Sequence, residues 1–113
     1  AWPTLHVAVC DDRVVGFSGH SASRDADVPP LTGEIQGIYL LRDFQHMGIG
    51  RALMEVALEY LRSAGYKRAY LWVLDSNAQA IRFYEKAGFH PDGATKTAVL
   101  GTPVTELRYI RDL

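Results

Sequence analysis

The chain has 113 residues, 48% of them hydrophobic and 22% charged, with 12 basic and 13 acidic side chains and a net charge of −1. That is room for one domain around one modest core, and the intermixed charges form no basic stripe, which argues against a nucleic-acid partner. No apolar run approaches the roughly 20 residues of a membrane-crossing helix, and the single Cys10 excludes an internal disulfide or a paired-cysteine zinc site and suits a reducing, cytoplasmic setting.

"AWPTLHVAV" enters a strand pattern almost at once, with no initiator Met or signal peptide ahead of it, as a trimmed or partial chain would. Leu5, Val7 and Val9 alternate, Asp11 and Asp12 supply turn chemistry, and residues 14–22 form the return strand of a hairpin. Residues 23–33 read as a polar loop that Pro29 and Pro30 keep from pairing. Residues 34–41, "EIQGIYLL", form a third strand, apolar on both faces towards its end and therefore central. Ile49, Leu53, Val56, Ala57, Tyr60, Leu61 and Ala64 then follow helical spacing until Gly65. Residues 67–75 make a buried strand. Ser76 or Asn77 caps a second helix that ends at Gly88, and two weaker strands follow at 95–100 and 103–111. The expected fold is α/β, a mixed and mostly antiparallel sheet flanked by helices, in one domain over residues 1–113.

One stretch breaks the ordinary rules. In "FQHMGIGRALM", residues 44–54, Gly48 and Gly50 stand at the start of a helix, where each glycine costs roughly 1 kcal/mol against alanine. Helix-start amides have no internal partner and lie at the positive end of the helix dipole, so glycines there admit phosphate oxygens. The alternative is a helix entry that needs unusual dihedrals or close packing. A P-loop is excluded, because no Lys follows Gly50. A dinucleotide fingerprint would need glycine where Leu53 stands, although Asp75 mimics its ribose-binding acid.

A third template fits more of the chain. Gln45-His46-Met47-Gly48-Ile49-Gly50 resembles the Gln/Arg-x-x-Gly-x-Gly/Ala motif of the GNAT superfamily of N-acetyltransferases. The stretches "GEIQGIYLLRDFQHMGIGRALM" and "LWVLDSNAQAIRFYEKAGF", about 30 residues apart, resemble two strand-and-helix units of that family in the right order, and "VTELRYIRDL" resembles its last strand. Family members usually begin with a further strand and one or two helices. Their absence ahead of the hairpin would leave an edge strand that invites a homodimer.

The resemblance implies acetyl transfer from acetyl-CoA to a primary amine of a small molecule or peptide, by direct attack and without a covalent enzyme intermediate. Tyr84 takes the place of the acid that protonates the departing thiolate, and Glu34 that of a base acting directly or through water. The alternatives for these two are a core tyrosine and a solvated strand-end carboxylate. His20 and His46 are paper alternatives for the base that read as surface or loop residues. For the cofactor, the resemblance assigns Ile38, Tyr39 and Leu40 to the pantetheine arm, where two parallel strands splay. Gln45, His46, Met47, Gly48, Ile49, Gly50 and Arg51 fall to the pyrophosphate, with Asn77, Ala80 and Phe83 beside them. The loop acids Asp25 and Asp27, with Arg24, either line the acceptor site or are ordinary solvated charges. No metal is implied, since His6, His20, His46 and His90 are scattered without ligand spacing. The rival readings are a non-catalytic acyl-CoA-binding domain and a dinucleotide-binding oxidoreductase fragment.

Overall fold

Asp11 and Asp12 both adopt left-handed backbone angles, φ 51° and 60°, as a two-residue hairpin turn requires. In the computed structural model, which describes residues 3–113, they join β1 (Thr4–Cys10) to β2 (Arg13–Ala22). The chain continues through β3 (Thr32–Leu40), α1 (Ile49–Ser63), β4 (Arg68–Leu74), α2 (Ala78–Lys86), β5 (His90–Leu100) and β6 (Thr102–Asp112). The six strands form one sheet in the order β1-β2-β3-β4-β6-β5. Only β3 and β4 run parallel, so the sheet is mixed and mostly antiparallel, as the sequence predicts. Among the described residues no helix is long and apolar enough to cross a membrane.

Two boundaries differ from expectation. β3 begins at Thr32, inside the stretch read as loop. β5 begins at His90 rather than at 95. Pro91 and Gly93 read as punctuation, yet the strand crosses them with a register shift between Pro91 and Thr95, Gly93 absorbing the distortion at φ 92°.

Both helices lie on one face of the sheet. Met54, Ala57, Leu58 and Leu61 recur on one side of α1 and bury against Ile35 of β3, Ala69, Leu71 and Val73 of β4, and Tyr109 of β6. Ala80, Ile81, Phe83 and Tyr84 of α2 extend this core. Full burial of each large side chain is worth about 1.5–3 kcal/mol, so this layer holds the helix starts in register with the strand ends.

His20 corrects the sequence reading, which placed it at the surface. It is fully buried between β2 and α1, its Nε2 3.0 Å from His6 Nδ1 and its ring 4.8 Å from that of Tyr60. Ser18 Oγ lies 3.4 Å from its Nδ1. Burial, then the neighbouring His6, lowers its pKa from 6.5 to about 4, so the fold holds the neutral ring. The unfolded chain takes up a proton below 6.5 that the folded chain refuses. Melting temperature is therefore expected to fall as pH drops from 6.5 towards 4, and a His20→Gln variant should show a shallower acid limb. Equal limbs in the two proteins would refute this assignment.

Candidate active site

The parallel pairing of β3 with β4 is brief. It runs Thr32–Arg68, Gly33–Ala69 and Glu34–Tyr70 and stops there, although β3 continues to Leu40 and β4 to Leu74. Beyond Glu34 and Tyr70 the two strands diverge. The backbone of Ile38–Leu40 pairs with β2 on one side only.

On the helix face, a cavity of 370 Å³ opens over this divergence. Ile38 and Leu40 line it from β3, Gln45, His46 and Gly48 from the connecting loop, and Gly50 and Arg51 from the first turn of α1. Asn77, Ala80, Phe83 and Tyr84 close it from α2. Thus residues far apart in sequence, read separately as pantetheine, pyrophosphate and acid positions, share one space. Gln79 lines it too and was missed. It stands four residues before Phe83 on α2 and so shares its helix face, a periodicity that would have found it.

Four candidates lie elsewhere. The Tyr39 side chain lies against Phe17 on the opposite face, their ring centroids 4.9 Å apart and the planes tilted by 35°. Met47 and Ile49 line a separate hollow between α1 and β1. Glu34 is buried at the point of divergence, on the face away from the helices.

The start of α1 has the features of an anion site. His46 and Gly48 take left-handed angles, φ 64° and 82°, which turn the loop into the helix. The N-cap is Gly48, no side chain accepts from the first-turn amides, and the first turn holds no acidic residue. By contrast, α2 is capped by Asn77, whose Oδ1 accepts from the Ala80 amide at 3.1 Å. A Cβ at Gly48 would meet nothing within 4 Å, and one at Gly50 would stand 3.5 Å from Phe83, an ordinary contact. Packing against the protein therefore requires neither glycine. Gly48 answers to its backbone angle, and Gly50 keeps the first turn of α1 free of a side chain beside the helix-start amides.

Tyr84 is half-buried on α2, with its ring 5.5 Å from Phe83 and 6.2 Å from Phe89. Burial, and secondarily Tyr39, raises its pKa above the ordinary 10.0, so it stays protonated at neutral pH.

Glu34 is neither solvated nor free. Oε1 accepts from Tyr70 Oη at 2.7 Å and from the Arg24 backbone N–H at 3.2 Å, while Arg24 Nε and Nη2 reach both oxygens. Burial pushes its pKa up, but the hydrogen bonds from Arg24 and Tyr70 outweigh this and hold it below the ordinary 4.5. Tyr70, raised to about 12 chiefly by burial, also receives the Arg24 and Asp25 amides and pairs with Ser23. The loop acids are not free either. Asp25, Asp27 and Asp92 converge on the buried Arg108 of β6 at 2.6–3.0 Å, and Asp25 also accepts from Trp72 Nε1. The dinucleotide template fares worse, since Leu53 is in the core and Asp75 does not line the cavity.

The family description "Acetyltransferase (GNAT) family" matches residues 1–89. A mycothiol acetyltransferase of Geodermatophilus obscurus is 38% identical over 79 residues, 69% of this chain and 26% of that protein. The chain thus spans about a quarter of the length of that relative. A crystal structure of a Streptococcus mutans protein superposes with a TM-score of 0.82 at 30% identity, covering 99% of this chain and 71% of that one. A Bacillus subtilis acetyltransferase solved in complex with CoA has the same fold, with a TM-score of 0.80, 21% identity, and 98% and 77% coverage.

Proposed function

We propose that this chain, which belongs to the acetyltransferase (GNAT) family, transfers acetyl from acetyl-CoA to a primary amine by direct attack. The observation that carries the proposal is the uncapped, carboxylate-free start of α1 facing a cavity that runs to the β3–β4 divergence. In this reading the pyrophosphate takes the first-turn amides, and the pantetheine arm pairs with the unpartnered side of β3 near Ile38. The thioester then reaches Tyr84. An amine held against the carbonyl attacks it, and the thiolate leaves with the Tyr84 proton. Orientation of the two substrates supplies most of the rate, since good alignment is worth roughly 7–11 kcal/mol.

Glu34 takes a different part from that of a free base. A carboxylate with a lowered pKa is a poor proton acceptor, and both of its oxygens are engaged. Its bonds to Arg24 and Tyr70 tie the segment after β2 to the point of divergence, and the proton of the amine passes to water. The same engagement favours a second reading, a domain that binds acyl-CoA without turnover, and loss of Tyr84 separates the two.

The test is calorimetric titration of the wild-type protein and Gly50→Asp with CoA, with NAD as control. The wild type should bind CoA and not NAD. Gly50→Asp should keep its fold, since a carboxylate in the first turn complements the helix dipole, yet bind CoA at least about tenfold more weakly because that carboxylate occupies the anion site and repels the pyrophosphate. Absence of CoA binding by the wild type, or undiminished binding by the variant, would overturn the assignment.

A further inference from the structure

The sheet face away from the helices carries an apolar row that ends at the β3–β4 divergence. Val7 of β1 pairs with Phe17 of β2, and Phe17 pairs with Tyr39 of β3, so three side chains stand in line across three strands. All three are exposed. The next row on that face is Leu5, Gly19 and Gly37, and neither row carries a charge.

The Tyr39 ring leans over the second row. A Cβ at Gly37 would stand 2.6–2.9 Å from Cε2, Cζ and Oη of Tyr39, so the outer half of the ring fills the space that a side chain there would need. Gly37 lies between Tyr39 and Glu34, the last residue of β3 that pairs with β4. The phenol is thus folded back towards the point where the strands part. Burial, then the Tyr39 phenol, raises the pKa of Tyr84, so the two hydroxyls are within electrostatic reach of each other.

We propose that Tyr39 and Phe17 seat the acceptor, and that the acceptor is a monoamine on an apolar body. The inference rests on the acetyl-transfer reading above. With the pantetheine arm in the cavity on the helix face, an amine reaches the thioester carbonyl from the other face, past Tyr39. Its apolar body then lies along Phe17 towards Val7. A second ammonium on that body would meet no free partner, because the carboxylates at the divergence and in the loop before β3 are already taken. Arg24 and Tyr70 engage Glu34, and Arg108 engages Asp25 and Asp27. A charge laid on an apolar row without a partner is unfavourable.

The experiment is steady-state acetylation of phenethylamine and putrescine by the wild type, Tyr39→Ala and Gly37→Ala. The wild-type kcat/KM should favour phenethylamine at least about tenfold. Tyr39→Ala should lower that preference about tenfold by raising the KM for phenethylamine, the scale of a lost aromatic contact. Gly37→Ala removes no group but displaces the ring, which ends a side chain that can swing aside. It should lower the preference in the same direction with its fold intact. A wild type that does not prefer phenethylamine, a Tyr39→Ala variant that loses kcat/KM for both amines alike, or a preference untouched in Gly37→Ala would overturn this inference and leave acetyl transfer standing. Acetylation of neither amine would also overturn it, and the CoA titration above then decides the acyl-CoA reading by itself.

Discussion

Replacing Tyr84 by Phe is expected to lower kcat by about 100-fold or more while leaving CoA affinity nearly unchanged, since general acid catalysis is worth roughly 10²–10⁴-fold. Tyr84 lines the cavity from α2, and burial keeps its hydroxyl protonated well above neutral pH. The leaving group is a thiolate, which needs that proton as the carbon–sulfur bond breaks. The phenyl ring of the variant keeps the edge contacts with Phe83 and Phe89, so the fold has little to lose. CoA release would be followed with the best acceptor from a panel of polyamines, amino-acid amides and peptide N-termini. A merely structural tyrosine would instead lower the melting temperature and leave turnover alone. A fall in kcat of less than about threefold, with CoA binding intact, would remove Tyr84 from the acid's role.

Arg108→Ala should be the most destabilising of the substitutions considered, by about 3 kcal/mol, because removing one partner leaves charges without compensation in a dry setting. The Arg108 side chain is 6% exposed, and Asp25 and Asp92 beside it are 22% and 19% exposed. Its guanidinium also lies 5.5 Å over the Trp72 ring and 5.8 Å over that of Tyr70. The loss would appear as a lower urea midpoint at unchanged slope. It should also shrink in acid. The hydrogen bond from Arg108 holds the Asp27 carboxyl below its ordinary 3.8. That share of stability is present above 3.8 and disappears as pH falls through the lower value of the folded state. A wild-type midpoint retained by the variant at neutral pH would show that the cluster contributes nothing net.

Much of the frame was legible because it rests on local signals. The Asp11–Asp12 turn, the apolar side of α1, the Asn77 cap and the stop at Gly88 each depend on residues within a turn or two of one another. The cavity was legible through motif resemblance, which carries information about distant partners that periodicity lacks. What escaped reading was the far face of the sheet. Arg108 meets Asp25 and Asp27 across 83 and 81 residues, and Tyr70 meets Glu34 across 36. No spacing rule reports such pairs. Asp25 and Asp27 therefore read either as acceptor-site acids or as solvated charges, and their shared partner Arg108 was not singled out. His20 was misplaced for a related reason, since its burial depends on α1 crossing over β2.

The short ladder between β3 and β4 has a consequence for motion. The strands fall into two blocks, β1-β2-β3 and β4-β6-β5, each laced by long antiparallel pairing, and three residue pairs join one block to the other. The join is also parallel, so its halves meet only after the whole α1 crossover has formed, which makes it costly to close in loop entropy. In hydrogen-exchange terms the blocks should behave as separate protected units, with the seam as the zone between them that opens first. A ligand laid along β3 and held by α2 would clamp that seam, slowing amide exchange on strands it never touches.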